Sequence, residues 1–309
     1  MPVLAPGLAW IDLRFRNRPH VIATAVALID PGPTSCLAAL EAGLDAMGVG
    51  LADVTHILLT HVHLDHAGAT GTIVRRHPRA RVVVHARGAP HLIDLLKLVH
   101  SATRLYGDQM ETLWGEIAAV PASNLTVVDE DDARAEAVGR TFDVAYTPGH
   151  AVHHVSYFDS ASGIAFVGDA AGVRIHGRYV RLPTPPPDID VEQWKATAER
   201  IARWGPSSMF LTHFGPSPDV TSHLRTLVDN LAASSEWVRQ SLREPGTDAE
   251  RARRYAKYVE DDLRRHLAEG DIDPHRVGAP FEVSWQGLAR YWRKKGVQAR
   301  LRGLPLHAF

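Results

Sequence analysis

Short apolar runs rich in β-branched residues recur along the first two thirds of the chain and predict β-strands. In chain order the predicted strands are Val21–Ile29, Val54–Thr60, Ala80–His85, Leu125–Val128, Thr141–Thr147, His154–Phe158, Ile164–Gly168 and Ser208–Thr212. Segments with apolar residues at helical spacing separate several of them, and this alternation predicts an α/β fold. One such helix is predicted over Val191–Trp204, with Asp190 as its N-cap and Gln193 at the third helical position.

Two segments between the predicted strands are expected to cover part of a sheet. Residues 87–120 have a helical pattern, and we expect a helical insertion that covers one sheet edge and forms a wall of a pocket. Residues 181–190 contain four prolines, which exclude a regular helix or a central strand. This segment is therefore predicted to be a stiff loop.

The pattern changes after Pro218, where apolar residues follow two long helical stripes. We therefore predict a main domain over residues 1–218 and a helical C-terminal region over residues 219–309. The tail Arg290–Arg302 carries six basic residues and no acidic one, and a solvated helix face is favoured over an anion-binding patch.

Composition supports a globular protein without a charge-driven partner. The chain has 309 residues with 45% hydrophobic content, enough for a sizeable core, and 34 basic residues nearly balance 35 acidic ones. Binding to nucleic acid or to an anionic membrane is not expected, and no apolar run approaches the roughly 18 residues of a membrane span. The one cysteine, Cys36, excludes an intramolecular disulfide, and we expect a cytoplasmic protein.

The segment from Thr60 to Gly68 concentrates metal-binding side chains. It places three histidines and one aspartate within six positions, directly after an apolar run: His61, His63, Asp65 and His66. Desolvating several imidazoles and a carboxylate together is unfavourable, whereas a bound cation makes their proximity favourable. The segment therefore predicts a metal site.

Three further residues stand where an apolar run ends: His150, Asp169 and His213. Loops beyond the ends of strands are where α/β folds usually build their sites, so ligands from several strands can converge at one sheet edge. His153 and His154 follow closely after His150, and we interpret both as structural.

The order of these motifs resembles the metallo-β-lactamase superfamily and, within it, the glyoxalase II-like hydrolases, over about residues 21–216. The resemblance implies two divalent metal ions, with zinc favoured over manganese or iron. It implies that one ion is held by His61, His63 and His150, the other by Asp65, His66 and His213, with Asp169 bridging.

The resemblance also implies a four-layer αββα sandwich, here with a helical C-terminal extension. The run from Ala27 to Gly32 resembles the family's early strand that ends in an aspartate. Asp30 is thus a candidate to orient a ligand histidine, as carboxylates near metal-bound imidazoles commonly do. Capping of a turn by Asp30 is an equally open interpretation.

The family's mechanism implies hydrolysis of an ester-like bond, such as a thioester or a lactone, by a metal-bridging hydroxide. Asp65 would accept a proton as the tetrahedral intermediate forms. Two alternatives stay open: a mononuclear iron oxidoreductase resembling the persulfide dioxygenases, and a non-catalytic metal-binding scaffold.

A small-molecule substrate is expected, and its identity is not determined by the metal-binding motif, because specificity lies in the surrounding loops. Candidates to contact it lie in the insertion and near the proline-rich loop: Tyr106, Arg174, His176, Tyr179 and Thr184. A homodimer formed through the C-terminal region also stays open.

Overall fold

Two mixed β-sheets form the centre of the structure, a computed structural model that describes residues 3–13, 21–24, 27–129, 133–175, 179–278 and 280–301. The first sheet contains, in spatial order, β1 (Val3–Ala5), β2 (Leu8–Asp12), β3 (Val21–Thr24), β4 (Ala27–Ile29), β5 (His56–Leu58), β6 (Arg81–His85) and β7 (Leu125–Val128). Strands β4 to β7 run parallel to one another, and the others pair antiparallel.

The second sheet has six strands, and only one of its pairs is parallel. From one edge of the sheet to the other, its strands lie in the reverse of their order along the chain. It contains, in spatial order, β13 (Gly215–Ser217), β12 (Ser208–Leu211), β11 (Ile164–Phe166), β10 (Val155–Asp159), β9 (Arg140–Tyr146) and β8 (Ala133–Ala137). Strands β11 and β12 are parallel, which brings their carboxyl ends to the same edge of the sheet.

The two sheets pack face to face. Leu58 and Val83 from the first sheet and Phe142, Phe166 and Phe210 from the second belong to one apolar cluster, and each is at most 3% exposed. Complete burial of such a side chain contributes about 1.5–3 kcal/mol. The inner faces of the sheets therefore form the central core.

Helices cover the outer faces. The helices are α1 (Leu37–Asp45), α2 (Leu64–Ala67), α3 (Thr70–Arg76), α4 (Ala89–Ile93), α5 (Leu96–Tyr106), α6 (Met110–Trp114), α7 (Val191–Arg203), α8 (Val220–Ser241), α9 (Asp248–His266), α10 (Glu269–Gly278) and α11 (Phe281–Leu301). Helices α1, α3 and α4 share an apolar cluster with the first sheet, and α7, α8, α9 and α11 share one with the second. The predicted αββα sandwich is confirmed.

The C-terminal helices confirm the predicted helical extension. Leu227 of α8, Leu263 of α9 and Trp285 of α11 pack into the same cluster as Trp194 of α7. The indole Nε1 of Trp285 donates to Ser241 Oγ at 3.1 Å. The division into two regions at residue 218 stays a prediction.

In the described part of the chain, no helix has the length and apolar character that crossing a membrane requires.

Helix α7 and the proline-rich loop form as predicted. Asp190 Oδ1 accepts a hydrogen bond from the backbone N–H of Gln193 at 3.0 Å, so the expected N-cap is present.

One strand prediction is wrong: the run Val21–Ile29 is not one strand, because β3 and β4 are antiparallel neighbours with Ala23 opposite Ile29. The sequence between these two strands, Ala25-Val26, carries no turn signal.

Candidate metal centre

The predicted metal-binding side chains come from loops at the carboxyl ends of several strands. His61 and His63 follow β5, and the short helix α2 carries Asp65 and His66. His150 lies in the loop between β9 and β10, Asp169 follows β11, and His213 lies between β12 and β13. All seven side chains converge at one edge of the sandwich.

The convergence produces three groups whose ligand-type atoms lie within 4.8 Å of one another. One group contains His61, His63 and His150, and another contains Asp65, His66 and His213. The third joins His61, His66 and Asp169. The two histidine-rich groups are therefore neighbours, with Asp169 between them.

Hydrogen bonds on the far side of the first group fix which ring nitrogens face inward. Thr60 Oγ1 donates to Asp30 Oδ2 at 2.7 Å, so it must accept from His61 Nδ1, which lies 3.1 Å away. His150 Nδ1 donates to the carbonyl of Pro183 at 2.8 Å. The Nε2 atoms of His61 and His150 consequently present lone pairs to the site.

These two lone pairs meet a third imidazole. His63 Nδ1 lies 3.0 Å from His61 Nε2 and 3.0 Å from His150 Nε2. A single proton on His63 can satisfy at most one of the two neighbours, whereas a cation satisfies all three nitrogens. The donor set therefore fits a metal ion.

The second group combines carboxylates with imidazoles. Asp65 Oδ2 lies 3.3 Å from His213 Nε2 and 3.7 Å from His66 Nε2. Asp169 Oδ1 lies 3.4 Å from Nε2 of both His66 and His213, and its Oδ2 lies 3.5 Å from His150 Nε2. The two oxygens of Asp169 thus face the two groups.

These separations match what a first-row divalent ion requires. Ligand atoms about 2.0–2.1 Å from a tetrahedral ion are separated from each other by about 3.3 Å. Asp169 Oδ1 is buried and makes no hydrogen bond among the described residues, as expected of an oxygen that binds a cation. The residues present therefore fit the two metal ions that the family resemblance implies.

The electrostatics of the two groups differ. Burial and the neighbouring imidazoles of His66 and His63 hold the pKa of His61 well below its usual value, and burial with His150 lowers the pKa of His63 to about 3. Burial also opposes protonation of His66, but the carboxylates of Asp65, Asp169 and Asp30 outweigh it and raise its pKa well above normal. Burial and neighbouring imidazoles thus disfavour protonation in the first group, whereas carboxylates dominate the surroundings of His66 in the second.

Asp30 lies behind the centre and is fully buried. Its Oδ1 accepts from the Thr60 backbone N–H at 2.8 Å, and its Oδ2 accepts from Thr212 Oγ1 at 2.8 Å. His66 Nδ1 lies 2.9 Å from the same Oδ2, so this nitrogen donates and Nε2 faces the site. The carboxylate therefore joins three segments of the centre and orients His66.

Gly168 allows the loop that carries Asp169 to approach the first sheet. Its φ is +48°, and a Cβ there would lie 2.4 Å from Thr60 Oγ1 and 2.8 Å from His154 Nε2. His154 is fully buried and stacks against His61, with ring centroids 4.9 Å apart. A side chain at residue 168 would displace the ring that supports His61.

A cavity of about 510 Å³ opens above the candidate metal ligands. Helices α5 and α6 form one wall, the proline-rich loop forms another, and the junction of α10 and α11 closes a third side. Residues of the 87–120 segment thus line the cavity. The contribution of the C-terminal helices was not predicted.

The five substrate candidates have different positions. Tyr106 and Thr184 line the cavity. Among the described residues, Arg174 and Tyr179 do not, because Arg174 donates to Ser217 Oγ at 2.9 Å and the Tyr179 hydroxyl donates to Asp262 at 2.7 Å. Their role in substrate binding stays a prediction. His176 lies outside the described residues.

Several cavity residues were missed in the sequence or were interpreted as structural. His153 lines the cavity, and its Nδ1 accepts from the Val62 backbone N–H at 3.4 Å. Val283 and Ser284 of α11 line it as well, and Ser284 accepts a hydrogen bond from Thr184 Oγ1 at 3.1 Å. The sequence feature that marks this contact is Gly287. A Cβ at this position would lie 2.1 Å from the Thr184 carbonyl, so the close approach requires glycine.

Residues 21–213 match the model of the metallo-β-lactamase superfamily. The chain belongs to this superfamily. The match begins at the first residue of β3 and ends at His213, so it contains all seven candidate ligands and excludes the C-terminal helices.

Curated relatives of this superfamily member include proteins of several kinds. A metallo-β-lactamase fold-containing protein, ST1585 of Sulfurisphaera tokodaii, is 29% identical over 56% of this chain and 66% of its own length. A hydroxyacylglutathione hydrolase of a Synechococcus strain is 30% identical over 48% of this chain and 44% of its own. The probable metallo-hydrolase YqjP of Bacillus subtilis is 23% identical over 87% of this chain and 90% of its own. The matches to the first two thus span two thirds or less of those proteins.

Solved structures share the fold. The metallo-β-lactamase family protein TTHA1429 of Thermus thermophilus superposes with a TM-score of 0.70 at 23% identity, covering 95% of each chain. The archaeal protein ST1585 superposes with a TM-score of 0.62 at 22% identity, covering 91% of this chain and 98% of its own. The first of these similarities extends over nearly the full chain, including the C-terminal helices.

Proposed function

We propose that this protein is a binuclear metal-dependent hydrolase that cleaves an ester-like bond, a thioester or a lactone, in a small-molecule substrate. The observation that carries the proposal is the position of Asp169, whose two carboxylate oxygens face two separate groups of ligand-type side chains. A site for a single ion would give Asp65 and His213 no role. The hydroxyacylglutathione hydrolases among the relatives support the reaction class.

The chemistry divides between the ions and the chain. When bound, two divalent cations supply a water of lowered pKa and polarise the oxygen of the scissile group. The chain holds its imidazoles in the required tautomers through Thr60, Pro183 and Asp30. Its helices and the proline-rich loop also enclose the site from several sides, so a substrate binds within the cavity walls.

Asp65 is the proposed proton acceptor. Its side chain is 24% exposed, more than that of Asp169 at 5%, and it lines the cavity where a substrate would lie. Burial would raise its pKa, but the imidazoles of His66 and His213 reverse the effect and hold its pKa below the usual range. The group is thus an ionised carboxylate, the state that a proton acceptor requires.

Metal content and turnover together test the proposal. Protein saturated with zinc or manganese should hold two equivalents and hydrolyse members of a panel of thioesters and lactones. His213→Ala should reduce the content towards one equivalent and lower turnover by about 100-fold or more, because a side chain proposed to bind one ion directly is lost. The matched control is His100→Ala, on the exposed side of α5.

Three results would contradict the proposal in different ways. One bound iron with oxygen-dependent turnover would indicate the persulfide dioxygenase-like oxidoreductase instead. Two bound ions without turnover on any ester or thioester would indicate a metal-binding scaffold. Equal loss of metal in His213→Ala and His100→Ala would show that the proposed ligand set is wrong.

A further inference from the structure

The walls of the cavity above the metal centre are largely apolar. Helix α5 contributes Leu98, Ala102 and Leu105, and α11 contributes Val283. Three consecutive prolines, residues 185–187, line the opposite side. The volume of about 510 Å³ lies in the range of sites that enclose small organic ligands.

Charged groups are few on these walls. Apart from the candidate metal ligands, the Asp, Glu, Lys and Arg side chains among the described lining residues are Lys97, Arg181 and Asp188. Lys97 is exposed on α5 and Asp188 is half-buried. Arg181 already donates to the carbonyl of His275 at 2.6 Å, and its guanidinium lies 4.8 Å from the centre of the Phe281 ring.

This charge distribution disfavours a polar substrate. A glutathionyl group brings several charged groups, and each buried charge requires a partner. The cavity supplies one exposed lysine and one arginine that is engaged in the fold. An apolar group needs no such partners and gains free energy from leaving water.

The candidate metal ligands form part of the same cavity surface. His63, Asp65 and His213 all line it, so a substrate whose scissile carbonyl lies against them has one of the two groups on its carbonyl carbon, the acyl chain or the leaving group, against the apolar walls. We propose that this protein acts on esters or thioesters of apolar acyl groups, and that the acyl chain occupies the cavity between α5, the proline-rich loop and α11. This proposal rests on the proposed hydrolase function.

Chain-length dependence tests the acyl site without requiring turnover. Metal-loaded full-length protein is titrated with straight-chain carboxylates from acetate to dodecanoate, with binding measured by calorimetry. Affinity should rise by about fourfold per methylene until the cavity is filled. In parallel, kcat/KM is measured on acyl thioesters that share one small leaving group, and it should rise with the same slope.

Two variants locate the effect. Ala102→Phe places a ring in the α5 wall, and it should shorten the chain length at which affinity stops rising. Ala232→Phe is the matched control, on the exposed face of α8, and it should keep the wild-type profile. A fold control is the unfolding temperature of each variant.

The outcomes separate this proposal from the proposed function. Chain-dependent binding without hydrolysis of any ester would support the acyl site and contradict the hydrolase. Efficient hydrolysis of a glutathione thioester of a short polar acyl group, with flat dependence on chain length, would overturn the acyl site and leave the hydrolase standing. A wild-type profile in Ala102→Phe, or a preference set by an apolar leaving group instead of the acyl chain, would also overturn it.

Discussion

Replacement of Asp30 by asparagine tests the structural basis of the metal centre. The backbone at Asp30 has a φ of +53°, which asparagine tolerates about as well as aspartate, so the change isolates the carboxylate from backbone strain. Four groups meet this carboxylate: the Thr60 backbone N–H, the hydroxyls of Thr60 and Thr212, and His66 Nδ1. An asparagine offers one accepting oxygen where the aspartate offers two.

The magnitude follows from the position of the amide nitrogen. If the amide oxygen stays with the two hydroxyls and His66, the amide nitrogen faces the buried N–H of Thr60, and a donor opposes a donor. Losing a hydrogen bond to a charged group and leaving a buried donor unsatisfied costs about 2–4 kcal/mol. The loss of charge behind His66 should weaken metal binding by about 10- to 100-fold.

Two measurements on the same variant check this reasoning. Urea unfolding of the metal-free protein gives the change in the free energy of unfolding, and competition with a chelator gives the metal affinity. Asp229→Asn, on the exposed face of α8, is the matched control and should stay within about 0.5 kcal/mol of the wild type. An Asp30→Asn variant that equals the control in both measurements would refute the role assigned to Asp30.

Three further changes have distinct expected results. Asp169→Ala should remove both metal ions and all turnover, because its oxygens face both groups; retention of one equivalent by mass spectrometry would count against the bridge. Gly287→Ala should lower the free energy of unfolding by about 1–3 kcal/mol, since the new Cβ would lie 2.1 Å from the Thr184 carbonyl. Gly296→Ala on the same helix meets nothing within 4 Å and should be neutral or stabilising. Asp190→Ala should cost about 1 kcal/mol in thermal unfolding through loss of the α7 N-cap, and no change would contradict the capping assignment.

The positions of the candidate ligands could be predicted because they stand at or shortly after the ends of apolar runs. Asp169 and His213 come just beyond β11 and β12, and these strands are parallel neighbours. Sequence alone does not show which strands pair, but a shared position relative to strand ends is enough to place the side chains at one edge. Their grouping into two ion sites came from family resemblance.

Other elements carry weaker local signals. Strands β1 and β13 have three residues each, and β13 contains a glycine and a proline. Strand β8 reads Ala-Arg-Ala-Glu-Ala, and none of these residues has high strand propensity. These strands form because a neighbouring strand offers hydrogen-bond partners, which a local pattern does not report. The hydrogen-bond partners of Arg174 and Tyr179 are equally hard to read from a local pattern, since they lie 43 and 83 residues away.

The walls of the cavity depend on contacts still more distant in the chain. Periodicity predicts that α11 is a helix, but not that Ser284 accepts a hydrogen bond from Thr184, 100 residues earlier. The close approach requires Gly287, because a Cβ there would collide with the Thr184 carbonyl. The family match ends at His213, before this wall begins. Membership of the superfamily therefore accounts for the candidate ligands of the metal centre, whereas the shape of the cavity depends on how α11 packs against the proline-rich loop.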